Sequence, residues 1–344
     1  MRYRRKFMMR RRDFLAAAGA VGATGLARGA EPPRYIDVHH HILPPEYVAA
    51  VGTQNIGGPA GRPTGPEWTP QISIDAMDRA GISTALTSIS APGIAPTDAK
   101  QARKLARACN NYALQLAQDH KGRFGTFAAL PMPDVPGAVE EIRYAFDVLK
   151  TDGIGLLTSY EGIYLGDAHF DPVMAELNRR KALVFVHPTP CTCSAGVQIG
   201  LAPSAIEYPQ DTTRTISNLL FSGTLGKYPD ITFIFSHGGG TIPFIAGRIL
   251  NRKAPGVPDV LTALKRLFYD TAQVVNPIAI RALLDLVGPE RVVYGSDFPF
   301  VAEPAVKIAT STLPDLVAAF TKDEKQMRRI ARENILTHLP RFSR

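Results

Sequence analysis

Apolar and polar positions along the chain fall into short strand-length runs separated by longer helical stretches. Tyr35, Ile36 and Val38 open the first run, and Pro44 and Pro45 stop it, because proline cannot donate to a sheet ladder. From there to residue 70 the sequence is rich in Gly and Pro. It predicts a long loop carrying Trp68, the single tryptophan, and loops of this length commonly cover a site. Residues 72–80 predict a short helix closed by Gly81, and 82–89 a second strand. Pro96, Thr97 and Asp98 start a long helix to about residue 120, with Leu105, Cys109, Tyr112 and Leu116 at helical spacing. Further strands are predicted at 124–130, 153–157, 182–186, 231–235, 266–269 and 291–294. Helices are predicted between them at 135–150, 171–180, 212–225, 242–250 and 277–287, with closing helices from about Pro304. Eight strands alternating with helices over residues 31–344, with no internal repeat and no linker, argue for one (β/α)8 barrel rather than an open sheet.

Composition changes this picture little. Hydrophobic residues at 45% and charged residues at 20% are ordinary for a globular protein with a sizeable core. The net charge of +8 is not spread over the fold. Eight basic residues stand against Asp13 within 1–30, leaving 31 basic against 30 acidic residues beyond them. The basic excess is therefore a tail, and no nucleic-acid surface is expected. In that tail Arg11-Arg12-Asp13-Phe14-Leu15 precedes an Ala/Gly-rich stretch ending near Ala27. It resembles a twin-arginine signal, implying export as a folded protein to the periplasm. The apolar stretch is shorter than the roughly 20 residues of a membrane span. Three cysteines supply no disulfide scaffold, and Cys191 and Cys193 read as incidental loop thiols.

Candidate chemistry concentrates at the predicted strand ends. In Asp37-Val38-His39-His40-His41-Ile42-Leu43-Pro44, alternation puts His39 and His41 on one face and His40 on the other. His187 ends the fifth strand, His237 follows the sixth, and Asp297 follows the eighth. In a parallel barrel these ends meet at one rim. Nitrogen and oxygen donors without nearby thiolates, with a position left open, suit a catalytic divalent metal, Zn²⁺ first and Mn²⁺ second. Gly238-Gly239-Gly240 lets the backbone turn tightly beside such a site.

Four ordered motifs carry a resemblance. Asp37 to Pro44, Val184-Phe185-Val186-His187-Pro188, Ser236-His237-Gly238-Gly239-Gly240 and Gly295-Ser296-Asp297-Phe298-Pro299-Phe300 resemble the amidohydrolase-2 branch of the amidohydrolase superfamily. That branch includes the aminocarboxymuconate-semialdehyde decarboxylases and aromatic-acid decarboxylases. Phe124 to Pro131 and Tyr164-Leu165-Gly166-Asp167 look most like 6-methylsalicylate-type decarboxylases. The resemblance implies that His39, His41, His187 and Asp297 bind the metal, with His237 beside it. It also implies a homodimer in which Arg248 reaches a neighbouring subunit's substrate; otherwise Arg248 is a helix-surface ion-pair residue. Muconate decarboxylases carry an arginine just before the Met-Asp matching Met77-Asp78. Here Ile72-Ser73-Ile74-Asp75 has none, which favours a less charged aromatic acid. Trp68 and Phe300 either stack on the ring of such a substrate or belong to the core.

The expected function is metal-dependent decarboxylation of a small aromatic or enoic carboxylic acid, the proton coming from Asp297 or His237. The alternative is hydrolysis of a lactone or amide at the same site, with Asp297 as base. A non-catalytic metal-binding barrel is the third reading.

Overall fold

A computed structural model describes residues 34–56, 66–94, 98–194, 196, 200–323 and 325–343. The expected leader, 1–30, lies outside the described residues, as do Pro96 and Thr97.

Eight parallel strands run in sequence order: β1 (Tyr35–His41), β2 (Ile82–Ser88), β3 (Phe124–Ala129), β4 (Gly153–Leu157), β5 (Leu183–His187), β6 (Thr232–Phe235), β7 (Phe268–Asp270) and β8 (Val292–Val293). The sheet closes on itself. Val38 N–H donates to Tyr294 O at 3.0 Å, Asp297 N–H to His39 O at 2.8 Å and His41 N–H to Phe298 O at 2.7 Å. With helices between successive strands, this is the expected (β/α)8 barrel with closing helices at the C-terminal end.

Local chemistry sets the element boundaries. Asp98 accepts from Gln101 N–H and caps Ala99–Asp119, and Asn276 caps Pro277–Val287 through two backbone amides. Three elements differ from expectation. The segment after β1 is not all loop: Pro45 opens a helix, Pro45–Val51, anchored by the fully buried Tyr47. The helix expected at 212–225 runs Pro203–Phe221, with Pro209 inside it. The helix expected at 242–250 is a single α turn, Ile242–Ile245, continued as a 3₁₀ turn, Ala246–Arg248.

Simple alternation would put Val38 and His39 on opposite faces, but register shifts between Asp37 and His40. Val38 and Ile36 accordingly share an apolar cluster with Phe185, while the His39 ring meets the same Phe185 at 4.9 Å. Ile335, Leu339 and Phe342, from the closing segment, join that cluster.

Candidate metal centre

The rim at the C-terminal strand ends gathers the expected residues. One donor atom from each of His39, His41, His187 and Asp297 falls within 4.8 Å of the others, and all four side chains are buried. His39 Nε2 lies 3.0 Å from His41 Nε2 and 3.2 Å from Asp297 Oδ1, and His41 Nε2 lies 3.4 Å from the same oxygen.

The other ring nitrogens are committed elsewhere. His39 Nδ1 meets Asp270 Oδ2 at 2.6 Å, His41 Nδ1 meets Ser88 Oγ at 3.0 Å, and His187 Nδ1 meets Pro188 O at 2.8 Å. Such outer bonds fix each imidazole's tautomer and aim its Nε2 inward. Asp297 Oδ1 is buried without a hydrogen-bond partner. A fully buried carboxylate oxygen with no donor is costly alone but natural as a cation ligand. The donor set therefore fits a single divalent metal.

Electrostatics agree for three of the four ligands. Burial lowers the proton affinity of His39, but the Asp270 and Asp297 carboxylates outweigh it and lift the imidazole to about 10. In His41 burial prevails, taking it down to about 4. His187 lies well below the usual range through burial, followed by its histidine neighbours. Burial raises Asp297, yet His39, His237 and His41 together hold it well below the ordinary carboxylate range. His41 and His187 are thus neutral and Asp297 ionised near pH 7, the states in which they ligate metal, whereas His39, protonated between two carboxylates, must give up its Nε2 proton when a cation takes that place.

His237 stands beside the cluster. Its Nε2 is 3.4 Å from Asp297 Oδ2, and its Nδ1 is buried without a partner. His237, Gln273 and Asp297 have φ of 54°, 57° and 62°, left-handed conformations uncommon for non-glycine residues. Gly295 permits close approach here, since a Cβ at that position would lie 2.9 Å from His39 Cβ and from Asp270 Cβ. Phe300 sits 5.3 Å, ring to ring, from His41. Trp68 is half-buried and donates its indole N–H to Ser73 Oγ at 2.9 Å. Arg248 is exposed and makes no ion pair among the described residues.

Several site residues went unrecognised in the sequence. Asp270, at the end of β7, accepts from His39, from His237 N–H at 2.8 Å and from Ala272 N–H at 3.0 Å. Its signal was an acid at a strand end, the feature that marked Asp297. Gln273 donates to Asp297 Oδ2 at 2.5 Å. His187 is anchored through Thr158, whose N–H donates to His187 O at 3.0 Å and whose Oγ accepts from Thr189 N–H at 3.0 Å. Thr158 Oγ in turn donates to the buried Asp211, which also accepts from Tyr164 at 2.6 Å. Cys191 and Cys193 are not independent thiols: they are joined in a disulfide, with Tyr164 Oη 3.6 Å from Cys191 Sγ.

A cavity of about 750 Å³ opens on the same rim, where segments following β2 to β5 converge. Its walls include Pro92, Ile94, Leu157 and Tyr160, together with Asp98, Asp134 and Glu161 and no described Lys or Arg.

Comparison with known proteins agrees with this geometry. The Amidohydrolase family model matches residues 36–340. Decarboxylase macB of Penicillium terrestre is 39% identical, over 87% of this chain and 94% of the relative. The 6-methylsalicylic acid decarboxylase of Penicillium expansum is 34% identical, over 89% and 96%. The crystal structure of an amidohydrolase II superposes with a TM-score of 0.81 at 31% identity, covering 89% of this chain and 99% of that one. A dihydroxybenzoic acid decarboxylase from Polaromonas sp. JS666, with bound manganese and 2-nitroresorcinol, gives a TM-score of 0.76 at 20% identity, over 90% and 97%, a likeness of fold alone. The chain belongs to the amidohydrolase family.

Proposed function

We propose that this chain is a metal-dependent, non-oxidative decarboxylase of a small aromatic carboxylic acid. The convergence of His39, His41, His187 and Asp297 carries this reading, in a chain 39% identical to a named decarboxylase across 94% of that relative. The bound divalent metal supplies Lewis-acid stabilisation of charge on substrate oxygens. Its donor set suits zinc, while the manganese of the Polaromonas neighbour makes that ion the alternative.

The chain's own residues account for the rest. As carbon dioxide leaves, the electron pair of the broken bond stays on the ring carbon, which must gain one proton. His237 is the better carrier: Nδ1 is unpartnered, and Nε2 is oriented by Asp297. Asp297 holds its proton too weakly to be the donor at neutral pH. Phe300 offers a ring face beside His41. Trp68 has committed its N–H to Ser73, so it would contribute only through its ring.

Two further parts of the proposal rest on sequence. The Arg11-Arg12 leader supports twin-arginine export to the periplasm. Arg248, exposed and without an ion pair among the described residues, is free to reach a second copy's site in a homodimer.

The test is a panel of hydroxybenzoates and lactones given to metal-loaded protein. Carbon dioxide release with one phenol formed per acid consumed is expected. Lactone opening without carbon dioxide release would establish the hydrolase instead. His237→Ala should keep its metal and lose about 10²–10⁴-fold in turnover; loss of the metal would make His237 a ligand and contradict its assigned role.

A further inference from the structure

One hydroxyl near the metal ligands has no structural task. Tyr208 lies on Pro203–Phe221 and is 6% exposed, with its ring 5.8 Å from His187 in an edge-on arrangement. Its phenol oxygen is fully buried and has no hydrogen-bond partner. It lies close enough to Asp297 to feel that carboxylate's charge. A buried phenol normally finds a partner, because leaving one unpaired is costly. Phenylalanine would fill the same space without that cost. The bare Asp297 oxygen is explained by the metal; the Tyr208 hydroxyl is not. It is also not an isolated case. Thr212, one turn further along the same helix face, and Ser236, directly before His237, carry buried hydroxyls that also lack partners. Of the three, Tyr208 is the one whose ring packs on a metal-facing imidazole, so its unpaired hydroxyl is the donor available to an oxygen-bearing ligand at the centre.

We propose that Tyr208 is a substrate-binding residue whose phenol O–H donates a hydrogen bond to a carboxylate oxygen of the bound aromatic acid. The proposal rests on the decarboxylase reading for the identity of the acid. A ligand oxygen in this space gives the O–H the partner that the protein withholds. The bond is charge-assisted, and such bonds are the stronger class. It also distinguishes an arenecarboxylate from the product, which has lost that group and with it the acceptor.

The test compares metal-loaded wild type with Tyr208→Phe by three readouts: salicylate binding by calorimetry, turnover of 6-methylsalicylate and other hydroxybenzoates, and thermal stability with metal content. Tyr208→Phe should weaken salicylate binding about tenfold or more, consistent with a hydrogen bond to a charged group. It should lower kcat/KM by a similar factor while metal content holds and Tm stays level or rises. Equal salicylate binding by the two proteins overturns the proposal, as does salicylate binding to neither. Loss of metal in Tyr208→Phe would make Tyr208 a ligand and also overturn it. If the wild type binds salicylate but releases no carbon dioxide from any acid, the decarboxylase reading fails while the binding comparison still decides the role of Tyr208.

Discussion

His40 stands between two metal-facing imidazoles and points the other way, as alternation suggests, yet it is not idle. It is 1% exposed, stacks on Phe298 at 5.0 Å, and bonds Asp37 Oδ2 at 3.1 Å and Ser73 Oγ at 3.0 Å. Asp37 also accepts from Ser296 N–H at 2.9 Å and Ser296 O–H at 2.6 Å, and so secures the turn that presents Asp297. From the sequence alone, replacing His40 would leave metal and activity intact, because a residue on the opposite strand face has no evident partner. The structure changes that expectation. His40→Ala should lose about 2–4 kcal/mol of stability, as removing a buried, doubly bonded side chain does, and should weaken metal retention. Denaturant unfolding and metal analysis after dialysis check this, and values equal to wild type would contradict it. His39→Ala and His41→Ala, by contrast, should lose the metal outright.

Elements carry the next layer, and here the sequence was only partly legible. Strands ending in histidine could be read because a strand terminus tells which rim its last residues join. Pro203–Phe221 could not, because Pro209 resembles a helix boundary. Reading the helix as starting at 212 hid both Tyr208 and Asp211. Asp270 directly follows its expected strand, as His187 and Asp297 follow theirs, but its role shows only once the fold brings His39 Nδ1 and His237 N–H against it. Asp211 acts between elements: through Thr158 it ties this helix to the end of β4 and to His187. Thr158→Val removes that link and leaves a buried carboxylate short of one donor, so stability should fall by about 1–3 kcal/mol and metal should dissociate faster. Unchanged metal off-rates would show that His187 is held without this link. A second inter-element tie is electrostatic. Hydrogen bonds from Arg179, then Arg180, outweigh the effect of burial and lower Glu176 from 4.5 to about 2. Arg180 also pairs with Asp147, ahead of β4. A depressed carboxyl contributes stability that is fully present above pH 4.5 and is lost as pH falls through about 2. The stability difference between wild type and Glu176→Gln should therefore shrink from pH 5 to pH 2. A difference that stays constant over this window would contradict the assignment.

At the scale of the molecule, ligands some 250 positions apart in sequence meet because β1 closes the barrel against the segment after β8. The Asp297 N–H to His39 O bond at 2.8 Å belongs to that closure, so fold and metal centre are built by the same contacts. The apolar floor is completed by Ile335, Leu339 and Phe342, far from the rim. Barrel architecture was readable from the alternation of strands and helices, because eight such units leave few other arrangements. The outer set around the metal was not, since Ser88, Gln273 and Thr158 gain their roles only when neighbouring strands lie side by side and bring them against His41, Asp297 and His187. The most direct test is carbon dioxide release from one sample of the protein, measured with a hydroxybenzoate before chelation, after chelation and after a divalent metal is restored. Release that stops when the metal is removed and returns with about one metal ion per chain is the expected result, in keeping with a single four-donor site. Release that continues undiminished in chelated, metal-free protein would contradict it.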